Sequence, residues 1–304
     1  MKKRKIVGLG EVLWDLLPGG ASLGGAPANF AYMTGLLGNE GIVASRVGRD
    51  SLGRDALERM RLLGLGTDYV QVDSERPTGT VNVEIDAEGQ ARFEIAHPVA
   101  WDFLEWIPAW RQLAEETDAV CFGSLAQRSA RSRATIRSFV HAVSAGAIKV
   151  FDVNLRQSYY SRGILGDSMR LADIVKVNDQ ELPKIMKLQG LPHENEHCSA
   201  QALLAEFDLK LVCVTRGARG SLLVQKDDVD EHPGFRVKVA DTVGAGDAFT
   251  AALLHEYLQG SPLKLINEMA NRVGAWVASQ PGGMPLLDDG LHSLAAEFTR
   301  GETP

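Results

Sequence analysis

The segment DTVGAGDAFTAALL, residues 241–254, sets three of the smallest side chains between two acids and then runs into an apolar stretch. Gly244, Ala245 and Gly246 leave their backbone N–H groups unshielded, and the run from Ala248 to Leu258, free of proline and glycine, predicts a helix. N–H groups in the first turn of a helix have no intrahelical partner, and the macrodipole favours an anion there. Residues 244–246 are therefore a candidate cradle for a phosphate or for charge developing on one. Asp247 stands at the same helix start, where the dipole favours its ionised form. An ionised carboxylate beside an anion cradle suits a base that takes a hydroxyl proton while that oxygen attacks a phosphoryl group. The same residues also read as an Asp N-cap after a flexible glycine turn.

A second small-residue stretch, LGGAPANFAYMTGLLG (23–38), leads into another apolar helix. Small residues such as Gly24 and Gly25 let a ligand approach the backbone closely. Asn29 can donate and accept at once, as sugar hydroxyls require. A plain helix-entry turn explains this stretch equally well.

The elements that must position these residues alternate. A strand over 5–10, a helix over 26–37, a strand over 41–47 and a helix over 52–63 begin the chain. Strands at 119–122, 149–153, 174–177 and 211–215 and a helix at 130–144 continue it, which argues for βαβ units and a parallel sheet. TGTVNVEIDAEGQARFEI (78–95) breaks the rule: it alternates with period two across DAEGQ, a hairpin signal. An inserted hairpin suggests a small appended sheet, a lid over the site. LPHENEHCS (191–199) reads as a polar loop, with His193 and His197 beside Cys198 more in keeping with an exposed loop than a metal site. Trp101, Trp106 and Trp110 read as packing or a dimer contact.

At 304 residues the chain fits one large α/β unit, with no linker or repeat. A net charge of −7 argues against a general binder of nucleic acid or anionic membranes. No apolar run approaches the roughly 18 residues of a membrane span, and the run after MKKRK is too short for a signal peptide. Cys121, Cys198 and Cys213 show no paired spacing and read as reduced thiols, so a cytoplasmic location is expected.

Together the two glycine-rich stretches resemble the ribokinase-like carbohydrate kinases, the PfkB family. Gly24, Gly25, Pro27, Asn29, Ala31, Gly38 and Gly48 match its first signature, and Asp241 to Asp247 match its second. The likeness runs from GLGEVLWDLLPGG to GGMP, nearly the whole chain. It implies a Rossmann-like three-layer α/β fold over residues 1–304, with a predominantly parallel central sheet and a β lid formed mainly by about 11–22 and 72–103. It implies ATP-dependent phosphorylation of a hydroxymethyl group, with Asp247 as base and 244–246 as the anion hole. Asn178 and Glu181 match an Asn-x-x-Glu arrangement that helps place Mg²⁺ and its waters; Thr215, Gly217 and Gly220 would border the triphosphate; Asn271 and Gly274 would wall the adenine pocket. Read alone, these stretches are a helix N-terminus, a hairpin turn and a buried helix face. Arg219 lies near the phosphates or points to water.

On the sugar side the resemblance implies Asp15, Gly25, Asn29, Asn154 and Arg156 as acceptor-binding residues. GEVLWDLLP, FDVNLRQ and HPVAWDF look most like the bacterial fructokinase branch, which favours D-fructose. The 2-keto-3-deoxygluconate kinases are the alternative, with other sugar or nucleoside kinases of the family. Their keto-acid substrate needs a cation, for which the lid offers only Arg92. Asp241 and Val243 offer oxygens to a monovalent cation such as K⁺. Met284 and Leu286, where cation-using relatives often carry a hydroxyl, depart from that pattern. Lid pairing between two subunits suggests a homodimer.

Two other classes compete. A non-catalytic sugar sensor of the same shape is opposed by the filled chemical positions. A nicotinamide oxidoreductase, suggested by VGLGEV, fails because Leu13 stands where a third glycine belongs.

Overall fold

Strands buried on both faces must be apolar on both faces, and the runs IVGL, AVCF and LVCV meet that demand. The computed structural model describes residues 3–17, 19–85 and 91–287. The chain forms β1 (Lys5–Leu9), β2 (Leu13–Leu17), β3 (Gly20–Gly24), α1 (Ala26–Leu36), β4 (Glu40–Gly48), α2 (Ser51–Leu62), β5 (Val70–Asp73), β6 (Gly79–Ile85) and β7 (Ala91–Ile95). It continues through α3 (Pro108–Glu116), β8 (Ala119–Gly123), α4 (Ala130–Ala142), β9 (Ile148–Asp152), α5 (Arg162–Leu171), β10 (Ile174–Asn178) and α6 (Leu182–Gln189). The last elements are α7 (Glu196–Glu206), β11 (Leu211–Thr215), β12 (Ser221–Val224), β13 (Val229–His232), α8 (Ala245–Gln259) and α9 (Leu263–Ala278).

Among the described residues nine strands form one sheet in the order β13-β12-β11-β10-β9-β8-β1-β4-β5. From β11 to β5 every pairing is parallel; the β11–β12 and β12–β13 pairings are antiparallel, so β12 alone among these strands runs against the rest. Because side chains alternate along a strand, each strand feeds two cores. Val7, Phe122 and Val177 pack with Phe139, Leu165 and Leu203 from α4, α5 and α7. Ile6, Cys121 and Ile174 pack on the other side with Phe30, Leu253 and Val273 from α1, α8 and α9. The result is the expected three layers.

A second sheet has the order β3-β2-β6-β7. It joins two distant segments: β2 pairs parallel with β6, while β2–β3 and β6–β7 are antiparallel. The hairpin strands appear as read from the alternation; their turn, 86–90, lies outside the described residues. Arg128 clamps the exit of this sheet to the core. Its Nε and Nη2 each lie 2.8 Å from the Asp102 carboxylate, Nη2 also donates to the Ala96 carbonyl at 2.6 Å, and the guanidinium lies 3.9 Å from the Trp101 ring centre. Trp101 and Trp110 are fully buried, so they pack the core.

Two local expectations are corrected. Residues 196–199 are not loop but the first turn of α7, because the Asn195 side chain accepts from the Cys198 N–H at 2.8 Å and caps it. His193 Nδ1 lies 2.7 Å from Ser199 Oγ, and among the described residues no three acidic, His or Cys side chains form a metal-binding group. Helix α8 begins at Ala245, three residues before the position read from its apolar run.

Candidate active site

The chain leaves β1 for β4 on one side, and β8 pairs with β1 on the other. Open α/β sheets bind ligands at such a reversal, outside the carboxyl ends of the strands. A small cleft lies there, lined by Glu11, Pro27, Phe30, Asp152, Asn154 and Asp247 among others.

The first turn of α8 forms one wall. Gly244 caps the helix in the left-handed region, φ 76°, and a Cβ there would stand 2.5 Å from Gly283 Cα. Only glycine meets both demands. Among the described residues the N–H groups of Gly244, Gly246 and Asp247 meet no acceptor, whereas that of Ala245 makes a long 3.3 Å bond to the Thr242 carbonyl. Asp247 Oδ2 accepts from Asn29 Nδ2 at 2.8 Å. Burial first, then the charge of Asp152, lifts the Asp247 carboxyl to about 7, against the Asn29 hydrogen bond, Lys176 and Arg156. Burial thus opposes the preference of the helix start for an ionised acid, leaving a group that exchanges its proton near neutral pH.

Three charged groups escaped the sequence reading. Glu11, 3% exposed, has no partner for Oε2 and is raised to about 7 by burial, with its own backbone N–H opposing and Asp247 adding to the rise. Lys176 donates to Asp152 Oδ1 at 3.1 Å, both buried. Burial alone would strip the lysine proton, but Asp152, Glu181 and Asp247 hold it well above the ordinary range. The available signal was a charge inside an apolar strand, as in IVKVN and IKVFD.

Of the residues expected to bind an acceptor, Asp15 lies on β2, half-buried, and its carboxyl is raised by burial, with Arg156 opposing. Gly25 precedes α1 with φ 108°, and a Cβ there would lie 2.5 Å from the Glu11 carbonyl. Asn29 is buried, with one amide hydrogen committed to Asp247 and no partner for Oδ1. Asn154 takes φ 42° after β9, and exposed Arg156 follows; its charge is felt by Glu11, Asp15 and Asp247.

Asn178 and Glu181 are brought together at the start of α6. Asn178 Oδ1 accepts from the Gln180 and Glu181 N–H groups, and the buried Glu181 carboxylate accepts from Leu155 N at 2.7 Å and Asn178 N at 2.9 Å. Burial raises Glu181, with Lys176 opposing. Thr215 ends β11; Gly217 and Arg219 are exposed beyond it, with Arg219 paired to Asp179 at 2.6 Å, and Gly220 is buried at the turn into β12. Asn271 is buried in α9, where its amide donates to Ser221 Oγ at 2.7 Å and the Asn267 carbonyl at 2.8 Å. Gly274 faces α8: a Cβ there would lie 3.2 Å from the Ala245 carbonyl. Asp241 accepts from Val243 N at 3.0 Å and Gly282 N at 3.2 Å, tying the two loops on which Val243 and Met284 lie.

The model of the pfkB family carbohydrate kinases matches residues 19–289. The chain belongs to that family. It is 32% identical to a fructokinase of Escherichia coli, over 93% of this chain and 96% of that one. A sugar kinase of Pyrococcus horikoshii, solved in complex with ATP, superposes with a TM-score of 0.80 at 28% identity, covering 96% of this chain and 99% of that one. The fructokinase of Vibrio cholerae, solved with fructose, ADP and calcium ion, gives a TM-score of 0.77 at 26% identity over 98% of each chain; a double mutant of it was solved with fructose, ADP and potassium ion. This carbohydrate kinase has the ribokinase-like fold, and no described helix is long and apolar enough to cross a membrane.

Proposed function

We propose that the enzyme transfers the γ-phosphoryl group of ATP to a primary hydroxyl of a neutral sugar, D-fructose being the favoured acceptor. The observation that carries this reading is Asp247 itself: a carboxylate oriented by Asn29 at the mouth of α8, beside N–H groups that meet no acceptor. Asp247 takes the hydroxyl proton, the sugar oxygen bonds to phosphorus, and the bond from phosphorus to the ADP oxygen breaks. The amides of 244–246 face the charge that develops on the transferred group.

The acceptor side favours a polyol over a sugar acid, since three acids, Glu11, Asp152 and Asp247, line the cleft with Arg156 as the nearby exposed cation. Likeness to fructokinases points the same way. Thr215, Gly217 and Gly220 would border the triphosphate, and α9 with Asn271 and Gly274 would back the base.

Glu181 would hold Mg²⁺ through water, because each of its oxygens has accepted one N–H and keeps a second lone-pair direction, while Asn178, whose Oδ1 already accepts two N–H groups, would fix Glu181 in place. When bound, the ion would neutralise phosphate charge. The paired loops at Asp241–Val243 and 279–284 present backbone carbonyls of the kind K⁺ takes. A coupled ADP-release assay over ketoses, aldoses, sugar acids and nucleosides tests the reading. Turnover is expected to be fastest with fructose, and a sugar acid outrunning it would overturn the assignment.

A further inference from the structure

Below the cleft the chain buries an ion pair that the transfer step does not touch. Lys176 Nζ reaches Asp152 Oδ1 at 3.1 Å. The Thr250 hydroxyl lies 3.0 Å from Asp152 Oδ2 and 2.9 Å from the Gly246 carbonyl, one turn earlier on α8. A Cβ on Gly246 would stand 3.2 Å from Lys176 Nζ, so the ammonium group lies against the turn that carries Asp247. Asp152 lines the same cleft as Asp247. A buried pair of this kind is no better for stability than well-packed apolar residues, which directs attention to what its charges do nearby.

We propose that Lys176 is a positioning residue for phosphoryl transfer: by neutralising Asp152 beneath the first turn of α8, it sets how tightly Asp247 holds its proton. The inference rests on Asp247 being the base. The groups facing Asp247 are Asn29 from α1, Glu11 beyond β1, Cys121 from β8, Asp152 from β9, Arg156 beyond β9 and Lys176 from β10. Of these, Asp152 and Lys176 act in opposite senses and are bonded to each other. Removing the lysine charge exposes Asp247 to a bare carboxylate; removing the aspartate charge exposes it to a bare ammonium.

The test is the pH profile of kcat/KM for ADP release in the full-length enzyme, with thermal unfolding recorded alongside. Lys176→Met is expected to move the ascending midpoint to higher pH by about one unit or more, and Asp152→Asn to move it lower. The double variant should return close to the wild-type midpoint, and Lys176→Arg, which keeps the charge, should hold it. Lys176→Gln replaces the methionine variant if that chain does not fold. Two single variants that lose stability while their midpoints stay fixed, or move together, overturn the proposal. A wild-type midpoint that persists in Asp247→Asn removes the base assignment and this proposal with it, whereas fixed midpoints beside an inactive Asp247→Asn remove this proposal alone.

Discussion

The cleft end of the sheet, beside β1, β8 and β9, and the loop end beyond β11 are built from different materials. Around the first, Glu11, Asp152 and Lys176 are buried; Asp152 and Lys176 pair with each other, and all three interact with Asp247. Around the second, Gly217 and Arg219 stand in solvent, while the buried polar groups, Asn267, Asn271 and Ser221, hydrogen-bond to one another and, through Asn267, to Asp230. Proton chemistry needs charges held at fixed positions in a poorly solvated place. A triphosphate needs backbone donors and room, which an exposed glycine loop supplies. On the proposed function, the acceptor end is organised before any ligand arrives and the nucleotide end is organised around one.

The sharpest break of that contrast is Asp247→Asn. Turnover is expected to fall by about 10²–10⁴ with ATP affinity by calorimetry unchanged; an equal loss of ATP affinity would show that the two ends are not separable. The same substitution should raise the melting temperature at pH 8. An acid lifted to about 7 in the folded state binds more protons there than in the unfolded chain, so wild-type stability declines as pH rises from about 4 to 7. For the same reason kcat/KM should climb with pH through about 7 and then level. Because Glu11 is also lifted to about 7 beside Asp247, the midpoint belongs to the coupled pair.

Asn29→Leu removes the hydrogen bond to Asp247 and is expected to cost roughly tenfold in kcat, the scale of one hydrogen bond to a charged group; an unchanged rate would detach Asn29 from orienting the base. At the other end, Asn271→Ala leaves Ser221 and Asn267 short of a donor and should cost about 1–3 kcal/mol of stability by denaturant unfolding, with KM for sugar unchanged. Smallest is Arg219→Ala. Its ion pair has the arginine side chain 70% exposed, so stability should change by less than about 1 kcal/mol, and KM for ATP reports whether the guanidinium also meets phosphate.

The same contrast governs what could be read without coordinates. Parallel strands announce themselves as continuous apolar runs, and the period-two segment at 78–95 gave β6 and β7. Short edge strands such as Val229–His232 alternate exposed and half-buried and carry no comparable signature. Helix α8 was placed three residues late because glycine and alanine at 244–246 resemble a turn, whereas the left-handed φ of Gly244 and the approach of Gly283 explain the glycine cap. Asn195 as a cap was lost in a polar stretch. Asp247 was legible from its neighbours in sequence. Asp152 and Lys176 were not, because their partner is 24 residues away and their environment is a property of the sheet.

Asp15 has one last implication through its strand. It pairs with Ser22 on β3 and Val81 on β6, so the carboxylate is riveted into the centre of the four-stranded sheet. Any swing of that sheet carries the acid along with it. On the proposed function, gripping the sugar and closing over it would then be a single mechanical act, with the incoming molecule serving as its own latch.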